Sequence, residues 1–85
     1  MSWAIVLAQP ARRALALVPE PDQGRLARAL LGMRDDPFLG DVRKLTVTPP
    51  KWRRRVGNWR VFFVPDQPRH VVTITAIERR TSTTY

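Results

Sequence analysis

The last third of the chain constrains the fold most. From Trp52 onward Val, Ile, Phe, Trp and Thr dominate, the residue types that suit a pleated, half-buried surface. Two breakers divide this stretch. Gly57-Asn58 reads as a tight hairpin turn between strands Trp52–Val56 and Trp59–Val64, and Pro65-Asp66-Gln67-Pro68 is the next turn. His70 to Ile77 then reads as the last strand. Strands joined by turns this short run antiparallel.

The first half reads differently. Trp3 to Leu7 is an apolar run long enough for a strand and too short for a helix. Pro10 sits where a helix can start, because its missing N–H costs nothing in a first turn. Ala14, Leu17 and Val18 continue that helix, and Pro19-Glu20-Pro21 stops it. Asp22 is placed to cap a second helix, in which Leu26, Leu30 and Met33 form the apolar stripe. Asp35 to Gly40 is a loop, and residues 41–50 are weakly patterned and end in Pro49-Pro50. The expected architecture is α+β, in the order β-α-α-β-β-β. Two N-terminal helices pack on one face of a small, twisted, mostly antiparallel sheet.

Strand alternation then assigns faces. Val72, Ile74 and Ala76 are uniformly apolar and are expected to face the helices, which sends Thr73, Thr75 and Arg79 to the open face. With Val61 and Phe63 in the core, Arg60 and Phe62 lie on that open face, and Arg53 and Arg55 match them across the hairpin. The open side of the sheet reads as basic, with aromatics among the cations.

Charge agrees with this picture. Residues 1–42 hold five basic and five acidic side chains, whereas residues 43–85 hold ten basic and only two acidic ones, Asp66 and Glu78. The whole net charge of +8 therefore lies in the second half. Such a field attracts polyanions: nucleic acid, an anionic membrane surface or an acidic protein. With 85 residues there is room for one domain, 1–85, and a small core. Without cysteine, disulfide scaffolds, iron–sulfur clusters and thiol catalysis are excluded, and a lone histidine, His70, builds neither a His-rich metal site nor an ordinary Ser-His-Asp triad. No apolar run is long enough to span a membrane, and the N-terminus lacks the basic start of a signal peptide, so the cytoplasm is the expected location.

The most informative segment is Lys51-Trp52-Arg53-Arg54-Arg55-Val56-Gly57-Asn58-Trp59-Arg60, half of it cationic. Arginines neutralise phosphates, and exposed aromatic faces stack on unpaired bases. Cations crowded on one small sheet repel each other unless a polyanion lies among them. The alternative is that the tryptophans are core and the arginines a solvated edge.

The run from Trp52 through Gly57-Asn58-Trp59-Arg60-Val61-Phe62-Phe63, a Val/Ile-rich strand, then Glu78-Arg79-Arg80 and Tyr85 resembles the RelE/ParE toxin superfamily of bacterial type II toxin–antitoxin systems. Ala11-Arg12-Arg13-Ala14-Leu15 and the stretch from Asp36-Pro37-Phe38 to Lys44-Leu45 fall where that family has its first helix and a connector. The resemblance spans essentially the whole chain and implies a RelE-like fold. In the RelE-like branch it implies a ribosome-dependent mRNA endoribonuclease (an mRNA interferase) that inhibits translation. There a ribose 2′-OH attacks its own 3′ phosphodiester in the A site, leaving a 2′,3′-cyclic phosphate and a free 5′-OH. No metal or other cofactor is implied.

Residue by residue, Arg60 matches the branch's catalytic arginine, Arg79 the second one and Tyr85 the C-terminal tyrosine. Lys51 and Arg53 stand at the positions of two functional lysines. Lys51, Trp52, Arg53, Arg54, Arg55 and Arg80 complete the expected RNA-binding surface. The implied partners are the ribosome, mRNA and a cognate antitoxin, acidic where it meets the toxin, in a hetero-oligomeric complex; no membrane is implied. Arginine stays protonated in proteins, so Arg53 is not a ready general base. Lys51 and Tyr85 remain for that role. Glu78 ranks lower because its strand parity points the wrong way, and His70 because it starts a strand. Two other functions stay open at this point: a ParE-like inhibitor of DNA gyrase, and a noncatalytic RNA- or ribosome-binding module.

Overall fold

The computed structural model describes residues 2–79, so Arg80 and Tyr85 lie outside the described residues. In chain order it contains β1 (Ala4–Leu7), α1 (Gln9–Leu17), α2 (Asp22–Gly32), β2 (Val42–Leu45), β3 (Lys51–Val56), β4 (Trp59–Asp66) and β5 (Val71–Arg79). The strands form one sheet in the order β1-β5-β4-β3-β2. Neighbours run antiparallel except β1 and β5, which are parallel. The α+β expectation holds, with one strand more than expected.

That extra strand is β2, from the weakly patterned stretch. Its Val-Arg-Lys-Leu sequence shows little alternation because it is an edge strand, bonded among the described residues only to β3, and charges there discourage pairing with a further chain. The helices start and stop as their prolines dictate: α1 begins beside Pro10, and its chain leaves the helix at Val18 in extended conformation before Pro19. Asp22 differs from expectation. Pro21 is the residue that precedes α2, and Asp22 lies inside the first turn without capping a backbone N–H. Its carboxylate still favours the positive end of the helix. It also accepts a hydrogen bond from the Trp59 indole Nε1–H at 3.0 Å and pairs with Arg25 at 3.6 Å.

The core lies between the helices and one sheet face. Ala11, Leu26, Met33, Val61, Phe63, Val72 and Ile74 are fully buried, with Leu30, Val18, Trp3 and Ile77 nearly so. Burying each large side chain contributes about 1.5–3 kcal/mol. Phe63 is central: Trp52 stacks beside it at 6.4 Å between ring centroids, and Phe38 meets Trp52 at 4.9 Å.

One irregularity decides the site. Phe62 pairs with Ala76, but the next residue, Phe63, pairs with Ile74. Thr75 is therefore an extra residue in β5, a bulge, and its hydroxyl donates to the Phe62 carbonyl at 3.3 Å. Beyond the bulge the alternation of β5 changes phase. Ala76 joins Phe62 on the open face, Ile77 turns into the core at 5% exposure, Glu78 faces outward opposite Arg60, and Arg79 shares a face with Trp59. The simple alternation expected for this strand holds only as far as Ile74.

Candidate nucleic-acid interface

The open face of the sheet is assembled by register. Residues directly opposite in a ladder share a face. Arg55 stands opposite Arg60, and Arg60 opposite Glu78. One step along, Arg43 stands opposite Arg53, Arg53 opposite Phe62, and Phe62 opposite Ala76. Lys51, two residues before Arg53, shares its side and places its ammonium 5.0 Å from the Phe62 ring centroid. Five cations from three adjacent strands thus share this face.

The backbone holds this cluster tightly. The turn at Gly57, with φ of +58°, closes the β3–β4 hairpin and leaves Val56 opposite Trp59 and Arg55 opposite Arg60. The Arg55 N–H donates to the Asp41 carbonyl at 2.9 Å, extending the β2–β3 pairing by one residue. The Asp41 carboxylate then lies 3.8 Å from Arg55 Nε, close enough to attract but too far for a hydrogen bond.

Electrostatically the patch is under-compensated. The Nε atoms of Arg53, Arg55 and Arg60, like that of Arg54 on the other face, are buried and have no hydrogen-bond partner among the described residues. Such N–H groups cost free energy until an acceptor meets them. Arg53 sits at the centre: burial, then the charges of Arg55 and Arg43, push its guanidinium below its ordinary value, with Asp41 opposing and Arg60 adding to the effect. A phosphate chain supplies both what the unpaired donors lack and the opposite charge.

The structure brings Lys51, Arg53, Arg55 and Arg60 together and separates three other expected site residues from them. Trp52 lies on the helix side between Phe38 and Phe63, so its ring is core packing and not an exposed stacking surface. Arg54 also faces away, opposite Val42 and the buried Val61, with its guanidinium across Gly40. Gly40 has φ of +92°, and a Cβ there would approach Arg54 Nη2 to 3.2 Å, so glycine leaves the space that Arg54 occupies. Arg79 differs from its expected place on the open face. Beyond the bulge it lies over the Trp59 ring, 5.9 Å from Cζ to centroid, on the side where Asp22 binds the same indole. The expected roles of Arg80 and Tyr85 fall outside the described residues.

Sequence reasoning misses Arg43 and misplaces Glu78. Arg43 sits in the strand that the pattern does not reveal. Glu78 is turned inward by an alternation that ignores the bulge. A trace of the bulge is present in the sequence: the large apolar residues run Val72, Ile74, Ile77, and only the small Ala76 fills the period-two pattern.

The arrangement supplies a rigid array of guanidinium donors with one aromatic face and one outward carboxylate. Within this array Arg60 has neighbours of both signs, Arg55 on one side and Glu78 on the other. Such an array can grip an oxyanion and stabilise charge that develops on it.

No protein-family profile matches the chain, and no curated protein does. Solved structures do match. A chain of the archaeal RelE-RelB complex from Pyrococcus horikoshii superposes with a TM-score of 0.85 at 22% identity, covering 98% of this chain and 100% of that one. A chain of a RelBE toxin-antitoxin complex from Mycobacterium tuberculosis gives 0.83 at 18% identity, over 94% of this chain and 100% of that one. The isolated E. coli RelE toxin gives 0.70 at 10% identity, over 96% and 88% respectively. With its two helices on one face of a five-stranded mixed sheet, the chain has the RelE toxin fold.

Proposed function

We propose that the chain is the toxin of a toxin–antitoxin pair and that its open sheet face cleaves mRNA on the ribosome. The observation that carries this reading is the register that puts Arg53, Arg55 and Arg60 on one sheet face. Three guanidinium groups share one face, each with a buried Nε lacking a partner among the described residues. In the proposed reaction Arg60 holds a nonbridging oxygen of the scissile phosphate. Its fork stabilises the additional charge of the pentacoordinate state formed when the 2′-oxygen attacks. Arg53, Arg55 and Arg43 hold the adjoining backbone. Lys51, over Phe62, adds a further donor to the patch. Such a reaction takes place where ribosomes are, in the cytoplasm.

The partner proposed is a cognate antitoxin whose acidic segment meets these cations. A groove of about 490 Å³ between β1, α1 and α2 offers it apolar anchorage, lined by Ile5, Leu7, Leu15, Leu30 and Leu31, with Arg34 at its edge. The experiment is primer extension on a defined mRNA in a translating extract. Stops inside A-site codons are expected. Intact mRNA together with blocked supercoiling identifies a gyrase inhibitor instead, and RNA binding without cleavage identifies a binding module.

A further inference from the structure

Glu78 is exposed, and the bulge at Thr75 aims it outward opposite Arg60. We propose that Glu78 is the proton acceptor of the cleavage step; this assignment rests on the RNA-cleaving reading above. The other groups around Arg60 among the described residues are poorly suited to the role. Arg55 is on one side and cannot accept a proton. Asp41 lies beyond Arg55 and is drawn to it at 3.8 Å. Lys51 places its Nζ over Phe62, four residues along β3 from the Arg55 that faces Arg60. His70 is stacked on Trp3, at 4.4 Å between centroids, in the turn before β5, away from the Arg60 end of that strand. Among the described residues Glu78 has no carboxylate–cation pair within 4.0 Å, and its Cα is held in register with Arg60.

In this step the ribose 2′-oxygen forms a bond to phosphorus as its proton passes to a Glu78 carboxylate oxygen. The bond from phosphorus to the 5′-oxygen breaks, its electron pair stays on that oxygen, and a solvent water protonates it. Glu78 then returns its proton to solvent. The net result is a proton moved from the 2′-oxygen to the 5′-oxygen, with no oxidant or reductant involved. Arg60 holds the phosphate while Glu78 takes the proton, so the two functions sit on adjacent strands of one ladder.

The test is single-turnover cleavage on ribosomes programmed with a defined mRNA, comparing wild type, Glu78→Gln, Glu78→Asp and Tyr85→Phe. Binding to an mRNA with a 2′-deoxy residue at the cleavage point is measured beside it. Removing a negative charge from a phosphate site leaves RNA binding equal or tighter, so an electrostatic role alone predicts no loss of rate. A proton acceptor predicts that Glu78→Gln slows cleavage about 100-fold or more with binding preserved, and that Glu78→Asp recovers part of it. Equal rates for wild type and Glu78→Gln overturn the assignment, most plainly if Tyr85→Phe alone is slow. Should Glu78→Gln melt early, Glu78→Asp decides: a slower step supports the role and an unchanged one overturns it. A wild-type protein that cuts no mRNA overturns the parent reading and Glu78's role with it.

Discussion

Arg55 and Arg60 stand directly opposite one another across the β3–β4 ladder, two like charges held in register by a tight turn. Like charges placed this way destabilise a sheet. The Gly57 turn leaves them no other register. Such a like-charge pair fits the polyanion site proposed above. Arg60→Ala is therefore expected to abolish cleavage, by about 100- to 1000-fold, with a melting temperature equal to or above that of wild type. Arg60→Lys is also slow, because a point charge does not reproduce the two-pronged contact. Cleavage assays paired with thermal melts check this; a strongly lowered melting temperature for Arg60→Ala makes that residue structural.

Salt dependence is the second prediction. If Arg43, Arg53, Arg55 and Arg60 contact RNA phosphates, the logarithm of affinity falls linearly with the logarithm of salt concentration. The slope is about −0.7 for each phosphate neutralised on a single strand. Titrations of an uncleavable RNA at several salt concentrations measure it. Arg43→Gln lowers the slope by about one contact, whereas Arg54→Gln leaves it unchanged because Arg54 faces the helices. A flat response refutes phosphate recognition.

Arg79 gives the third. Its guanidinium lies over the Trp59 ring, away from Arg60. Arg79→Ala therefore perturbs tryptophan fluorescence and lowers stability by about 0.5–1 kcal/mol, the worth of an exposed cation–π contact. Its effect on cleavage is much smaller than that of Arg60→Ala. Equal losses of cleavage for the two variants mean that Arg79 reaches the reacting phosphate and that the register at the end of β5 shifts when RNA binds.

The fourth concerns Asp22, which ties the start of α2 to the sheet through the Trp59 indole. Asp22→Ala removes that acceptor and a favourable charge at the helix N-terminus. The expected loss is about 1–2 kcal/mol, or a melting shift of several degrees for a domain of this size. RNA affinity stays unchanged, since Asp22 lies on the helix side. Urea and thermal unfolding measure the first effect, and RNA titration the second.

Local chemistry alone settles much of this fold. Pro10, Pro19 and Pro21 bound the helices, Gly57-Asn58 sets the hairpin, and the periodicity of Leu26, Leu30 and Met33 picks out the buried stripe. Because the hairpin is local, the pairing of Arg53 and Arg55 with Phe62 and Arg60 is legible in the order of residues. The identity of β2 is not: it pairs along only one edge, and its charged residues carry no burial pattern to read. Nor is the fate of Trp52, whose ring is equally suited to a core or a base stack until Phe38 and Phe63 close around it. The phase of β5 is decided only in the folded sheet. One unpaired residue, Thr75, enters the ladder so that Ile77 can reach the core, and a shift of one residue exchanges every side chain beyond it between faces. Period-two alternation is a rule about single strands, and the bulge is a property of two strands pairing. That is why Glu78 comes to face outward beside Arg60 and Arg79 to cover Trp59, against what the strand alone implies.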